Sequence, residues 1–436
     1  MCAMGWDHEL AKGTRPPRAG IFSAMTARRT TALLIALTAL ALLVRTALVL
    51  HHHALGWHTA DDAGMYLTLA AHLPHGVFSM FHPLDIPDTI KRPGYPALIH
   101  LLGSDLLTVL LVQALLSALK VPMVFLAGRA VGLHSPWALG AAALMAIEPV
   151  DALLAAQFLS ETLFGTLFLG GVVVVLRART GGPWALAALL FGAAAWVRPT
   201  GTTIALIAAA GAIPLLRATP GRALRFAAIA LITVLPWALR NQRTTGHFHL
   251  GDSGAVALGY YQAPQTLQAV HPEAAAAWRR TWHDRAAATD WTDRRACRAF
   301  FCDLRKTALA VARAHPFAWA RTHGEKCARI LAAPGRGHVA LLFPWGSTTA
   351  TVLITLSAMC SLLLLAGLVI VLVRIRHAPR PLLFLLLLAA ALIAMGALTT
   401  ADARFKNPAM GLLVIAGAWA GQTVVERRGA QGLMAT

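Results

Sequence analysis

The chain has 436 residues, 57% of them hydrophobic and only 13% charged, where soluble domains run at roughly 45–50% and 25%. That balance excludes a soluble globular protein and indicates a polytopic membrane protein. The formal charge is +19, but the arginines sit at the ends of apolar runs with few aromatics between them, which is membrane topology and excludes a nucleic-acid surface.

Taken in order, residues 1–29 are polar and basic, with Arg15, Arg18, Arg28 and Arg29, and read as a disordered cytoplasmic tail in which Met25 is an alternative start. The run 30–50 has about the 20 residues needed to cross roughly 30 Å of hydrocarbon. It is too long for a signal-peptide core and lacks a small-residue cleavage site, so it reads as the first transmembrane helix. His51, His52 and His53 follow it; no local acid or cysteine partners them, and an interfacial polar collar describes them better than a metal site.

Next comes the stretch 59–96, with the adjacent acids Asp61 and Asp62. Charge beside hydrocarbon is costly. A helix over 60–73 puts Asp62 and Tyr66 one turn apart on one face and lets Met65, Leu69 and Leu73 rest on the bilayer surface. Two roles stay open for Asp62: a reactive carboxylate, or the second member of a capping box begun by Thr59.

Further apolar runs at 105–128, 136–148, 157–176, 183–198, 201–216, 223–239, 348–373, 381–399 and 406–424 bring the candidate spans to ten. The shortest, 136–148, ends at Glu148-Pro149 and is expected to kink there or continue past the proline. Residues 240–347 are too polar for lipid and too long for a connection. Their segments 274–282, 294–314 and 317–331 have helical composition, which predicts a small, mostly helical cap. The five cysteines, Cys2, Cys297, Cys302, Cys327 and Cys360, show no metal-type pairing. Cys297 and Cys302 fit either a disulfide in an oxidising compartment or free thiols.

With the N-terminus inside, the cytoplasmic segments hold Arg28/Arg29, Arg129, Arg177/Arg179, Arg217/Arg222/Arg225, Arg374/Arg376/Arg380 and Arg427/Arg428 and almost no acid. That positive-inside pattern places both termini in the cytoplasm. The expected organisation is a tail to residue 29, a transmembrane module 30–239 with the outer loop 51–104, an extracytoplasmic cap 240–347, transmembrane helices 348–424 and a cytoplasmic tail 425–436. No internal repeat is evident, which weighs against the duplicated halves of many transporters.

This topology brings Asp61, Asp62, Lys91, Arg92, Glu148, Asp151, Glu161, Arg198, Arg240 and Arg404 to one outer face. Arginine forks suit a lipid phosphate, and a carboxylate suits proton removal from an attacking hydroxyl. Each residue also has a plainer role: Arg240 and Arg404 as snorkelling side chains, Arg198-Pro199 as a helix stop, Glu161 as an interhelical acceptor. Arg45 and Lys120, inside spans, call for polar partners.

The run Asp62-Ala-Gly-Met-Tyr66, Leu73-Pro-His-Gly-Val-Phe-Ser79 and Arg92-Pro-Gly-Tyr-Pro96 resembles the first outer loop of GT-C class membrane glycosyltransferases. More closely, it is similar to the bacterial branch related to dolichyl-phosphate-mannose protein mannosyltransferases (family 39) and aminoarabinose transferases, including the RgtA/B/C/D-like family. Glu148-Pro149, Leu159-Ser-Glu-Thr-Leu-Phe164, Trp196-Val-Arg-Pro-Thr-Gly201, Leu235-Pro-Trp-Ala-Leu-Arg-Asn241 and Asp402-Ala-Arg-Phe-Lys-Asn-Pro408 extend the likeness over most of residues 30–424. The chain departs from the pattern at Ala63, where many relatives have a second acid, at the single proline after Arg92, at Phe405 in place of Tyr, and in the short segment between Pro96 and Asp105. Asp61 is the candidate second acid.

The resemblance implies an all-α polytopic enzyme of the bacterial cytoplasmic membrane with juxtamembrane helices in its first outer loop. It implies transfer of a sugar from a polyprenyl-phosphate donor to a lipid, glycan or protein acceptor on the extracytoplasmic face, with inversion. Asp62 would be the general base and Arg92, Arg240 and Arg404, then Lys91 and Arg198, would hold the phosphate. Tyr66, Tyr95, Glu148, Asp151 and Glu161 complete the candidate pocket. No cofactor or metal is expected, because arginine can stabilise a phosphate leaving group. A transporter or flippase of lipid-linked envelope precursors is the alternative.

Overall fold

The computed structural model describes residues 26–57, 61–75, 78–79, 88–178 and 181–434. Cys2, Arg15, Arg18, Met25, Thr59 and Arg179 lie outside the described residues, as does the side chain of Asp61. All regular structure among the described residues is helical. The helices are α1 (Ala27–Ala54), α2 (Asp61–His72), α3 (Gly94–Leu101), α4 (Leu106–Ala130), α5 (Ser135–Ile147), α6 (Pro149–Ala155), α7 (Glu161–Arg177), α8 (Gly181–Val197), α9 (Thr200–Leu216) and α10 (Pro220–Thr245). They continue with α11 (Ser253–Val256), α12 (Ala263–Val270), α13 (Pro272–Ala288), α14 (Arg294–Ala314), α15 (Pro316–Ala332), α16 (Arg336–Leu342), α17 (Thr348–Val373), α18 (Arg380–Ala397) and α19 (Asn407–Met434).

Each of the ten apolar runs forms a helix, but the expected number of spans needs correcting. Among the described residues six helices are long and apolar enough to cross a membrane, α1, α4, α10, α17, α18 and the segment Ala403–Arg428, or seven if the bent pair α5–α6 is one span. The apolar helices Pro183–Val197 and Thr200–Leu216 are shorter than a usual crossing. An apolar run in sequence does not distinguish a helix facing lipid from one shielded by its neighbours. Here α8 packs between α7, α9 and α10, and α9 lies against α18. At Glu148-Pro149, where the sequence left a kink or a continuation past the proline open, the chain does both: α5 and α6 meet at a 50° bend, and Glu148 caps α6 by accepting the Asp151 N–H at 2.6 Å. The expected cytoplasmic tail begins as a continuation of α19, which is helical through Met434.

The first loop folds into α2 and α3; the residue spacing predicts a helix over 60–73, and the resemblance implies juxtamembrane helices in this loop. Its glycine at position 94 is there for close approach: a Cβ would come within 2.7 Å of the Trp196 carbonyl oxygen. This seats the Arg92-Pro-Gly-Tyr run on the end of α8, just before Arg198. The cap is helical (α11 to α15) and has its own apolar core of Ala255, Trp282, Phe300 and Leu304, against which the aromatic Trp278, Trp291 and Phe301 pack. Cys297, Cys302, Cys327 and Cys360 are free thiols.

Below the outer loop the bundle is tied together by a buried ionic knot. Asp151 Oδ2 meets Arg45 Nη2 at 2.8 Å and Ser117 Oγ at 2.5 Å, while Oδ1 meets Lys120 Nζ and, at 2.7 Å, Asn407 Nδ2. Arg45 also donates to the carbonyls of Ala41, Met145 and Ala146. One carboxylate thus joins α1, α4, α6 and α19, and Arg45 and Lys120 have the polar partners their positions call for.

Candidate active site

Asp62 sits in the first turn of α2 with each carboxylate oxygen on a different cation. Oδ1 accepts from Lys91 Nζ at 2.7 Å and Oδ2 from Arg404 Nη1 at 2.6 Å. Burial opposes its ionisation, but Lys91 and Arg404 outweigh that and hold the carboxyl well below the usual range. Lys91 is aimed by the turn before it, where Asp88 Oδ1 accepts the N–H groups of Ile90 at 2.9 Å and Lys91 at 2.7 Å. The Lys91 ammonium also lies 5.1 Å from the Tyr66 ring centroid.

A second acid lies alongside. Glu161 Oε1 is 2.6 Å from Arg198 Nη1 and 3.8 Å from Arg404 Nε, so Arg404 bridges both carboxylates. Arg198 Nη1 also donates to Ser160 Oγ at 3.0 Å, and Ser160 Oγ lies 3.0 Å from Tyr66 OH. Tyr95 packs edge-on against Tyr66 at 5.0 Å, its own buried hydroxyl without a hydrogen-bond partner. Asp62, Tyr66, Lys91, Tyr95, Glu161, Arg198 and Arg404 therefore form one cluster from five distant stretches of chain. In it two acids face three cations, leaving cationic excess.

Arg92 and Arg240 stand apart from these ion pairs. Arg92 is 3% exposed, its Nε and Nη1 have no hydrogen-bond partner, and burial pulls its pKa down to about 10. Arg240 donates to the carbonyls of Asp88 at 2.8 Å and Phe78 at 3.1 Å and stacks on Trp237 at 4.7 Å. It joins Phe78 and Asp88, two described points within the loop. Glu148 and Asp151 belong to the helix cap and ionic knot beneath, not to the cluster around Asp62.

Sequence reasoning missed the tie between α16 and this cluster. Asp402, just before Arg404, accepts the Arg404 N–H at 2.8 Å and meets His338 Nε2 at 2.9 Å. Burial opposes its charge, but the His338 bond holds its pKa down to about 2. Nothing local in the sequence marks His338, which is 64 residues from its partner. His51 and His52 are also spent on structure, facing the carbonyls of Leu342 at 2.9 Å and Ala156 at 2.6 Å. Among the described residues no three His, Cys, Asp or Glu side chains are grouped to hold a metal.

No family model and no curated protein matches the chain. Solved structures do. The archaeal oligosaccharyltransferase AglB from Archaeoglobus fulgidus, in complex with an inhibitory peptide and a dolichol-phosphate, matches with a TM-score of 0.50 at 15% identity, covering 93% of this chain and 51% of that one. The apo oligosaccharyltransferase of Archaeoglobus fulgidus matches at 0.54 and 15%, covering 94% and 52%. The chain shares the fold of these archaeal oligosaccharyltransferase structures. The chain spans about half the length of the oligosaccharyltransferases it matches. ArnT from Cupriavidus metallidurans bound to undecaprenyl phosphate also matches, at a TM-score of 0.41 and 14% identity, covering 88% of this chain and 78% of that one.

Proposed function

We propose that this protein transfers a sugar from a polyprenyl-phosphate carrier to an acceptor hydroxyl at the extracytoplasmic face of the membrane, inverting the anomeric carbon. The observation that carries this reading is the Asp62 carboxylate held between Lys91 and Arg404, inside a GT-C fold, with Arg92, the residue after Lys91, buried and without an acid of its own. In the reaction the acceptor oxygen forms the new bond to the anomeric carbon. The bond from that carbon to the carrier phosphate breaks, and the phosphate keeps the electron pair. The acceptor's proton goes to Asp62.

A carboxylate bound by two cations is ionised but a weak base. An incoming donor phosphate, competing for Lys91 and Arg404, frees Asp62 and returns its basicity toward that of an ordinary carboxylate. Arg92 supplies two unused donors for the phosphate oxygens, and Lys91 and Arg404 neutralise the charge that grows as the bond breaks. Arg198 keeps Glu161 in place, and Arg240 adds positive field while its hydrogen bonds hold the loop. A donor already resident in the bilayer needs no nucleotide-binding loop, and the dolichol-phosphate on AglB is a ligand of this chemical kind.

The test compares lipid-linked sugars in cells carrying wild type, Asp62→Asn or no protein. Asp62→Asn is expected to lower turnover by about 10²–10⁴-fold, the range for a lost general base, while keeping the melting profile of the wild type. Full turnover in that variant sinks the proposal and favours transport.

A further inference from the structure

His338 takes no part in the reaction above, yet it is buried at the first turn of α16 and both its ring nitrogens face acceptors. Nδ1 lies 2.9 Å from Gln157 Oε1 and Nε2 lies 2.9 Å from Asp402 Oδ1. The Gln157 amide is oriented by its own bond, Nε2 donating to the His338 carbonyl at 3.3 Å; turning it over would press an amide oxygen against that carbonyl. The hydrogen-bond network thus asks both ring nitrogens to donate, which only the imidazolium does.

The Asp402 oxygen that receives one of these bonds also accepts the Arg404 N–H at 2.8 Å, capping the 3₁₀ turn Ala403–Lys406. From that turn the Arg404 guanidinium reaches Asp62. A single line of contacts therefore runs Gln157, His338, Asp402, Arg404, Asp62. The titratable groups on elements around α16 include Asp402, Arg404 and Lys406 on this turn, Glu148 and Asp151 from the α5–α6 bend, His51 and His52 from α1, Cys360 from α17, and Arg336 on α16 itself. Of these, Asp402 is the one bonded to the ring. Lys406 is turned to the Ala333 carbonyl and Ser361 Oγ, and His51 to the Leu342 carbonyl.

We propose that His338, as an imidazolium, is a positioning residue that fixes the Asp402 turn and so sets the Arg404 guanidinium against Asp62. Loss of its proton leaves Asp402 without its positive partner. That carboxylate then becomes a rival to Asp62 for Arg404, and the site loosens. The kinetic half of this proposal rests on the sugar-transfer reading; the structural half does not.

The experiment uses the full chain purified in detergent, wild type and His338→Gln, in two measurements. Hydrogen exchange should show the Ala403–Lys406 turn opening about tenfold more readily in His338→Gln, the equivalent of one charge-assisted hydrogen bond. In wild type, after correction for intrinsic exchange, the same turn should lose protection as the pH is raised from about 5 to 8, the interval in which an imidazole side chain changes charge. The wild-type measurement stands even if the variant does not fold. Transfer assays over that range, with lipid-linked donors drawn from the same cells, should show a roughly tenfold lower kcat in His338→Gln with a near-constant KM. They should also show that the wild type's fall at alkaline pH is absent from the variant. Unchanged turn protection in either arm, or a variant with wild-type kcat and pH profile, overturns the proposal. A wild type with no transfer on any donor sinks the sugar-transfer reading instead, and exchange alone then decides the role of His338.

Discussion

Asp62 and Arg92 show two ways in which a charged side chain can be kept near lipid. Asp62 is stabilised where it stands, because Lys91 and Arg404 each take one oxygen. Arg92 is not: it is buried, with two guanidinium nitrogens unbonded and its pKa lowered by burial. An unpaired buried cation costs stability that an apolar side chain of similar volume restores. Arg92→Met is therefore expected to hold or raise the melting temperature while weakening donor binding at least tenfold, read by thermal shift and by titration with a polyprenyl phosphate. A variant that melts earlier yet binds normally makes Arg92 a packing residue. The tyrosines illustrate the same division: Tyr66 is tied to Ser160, whereas the Tyr95 hydroxyl is left unbonded.

At the level of helices, the two sets of ionic side chains do different work. The knot around Asp151 joins four helices and is fully buried, so removing its one carboxylate strands Arg45 and Lys120 in a low-dielectric interior. Breaking such a pair from one side costs roughly 3–5 kcal/mol. Asp151→Asn is expected to lower the yield of folded protein and its melting temperature by that scale, in contrast to Asp62→Asn, which should melt like wild type. Equal melting of the two variants would show that Asp151 is not the tie described. The knot also weighs against a transport pathway, because its charges are engaged with one another and with carbonyls. The α3–α8 contact works by shape: Gly94 lets the outer loop lie on the backbone of Trp196, which brings Lys91 and Arg198 to the same cluster.

The molecule as a whole is a helical membrane bundle under a helical cap, and α16, which follows the cap, reaches the site through His338. From the basic segments we propose that the cap lies outside and the α9–α10 turn inside. Cys302, an exposed free thiol of the cap, should react with a membrane-impermeant maleimide in intact cells, and Cys302→Ser should abolish that signal. A cysteine at Gly221, in open space at the start of α10, should react only after permeabilisation. Labelling in the opposite sense would invert the topology and move the site to the cytoplasmic face.

Local pattern by itself determined the class of the protein, the helices along the apolar runs, the interruption at Pro149, the one-turn spacing of Asp62 and Tyr66 and the helical cap. Those follow from composition and from a period of 3.6 residues, which neighbours in sequence define. Tertiary structure alone decided which acids share the site. Asp62 meets Arg404 across 342 residues and Asp151 meets Arg45 across 106, and no short-range spacing separates these two fates. It also decided how many helices are long enough to cross a bilayer, because an apolar surface answers equally to lipid and to another helix, and only the packed chain shows which one it meets.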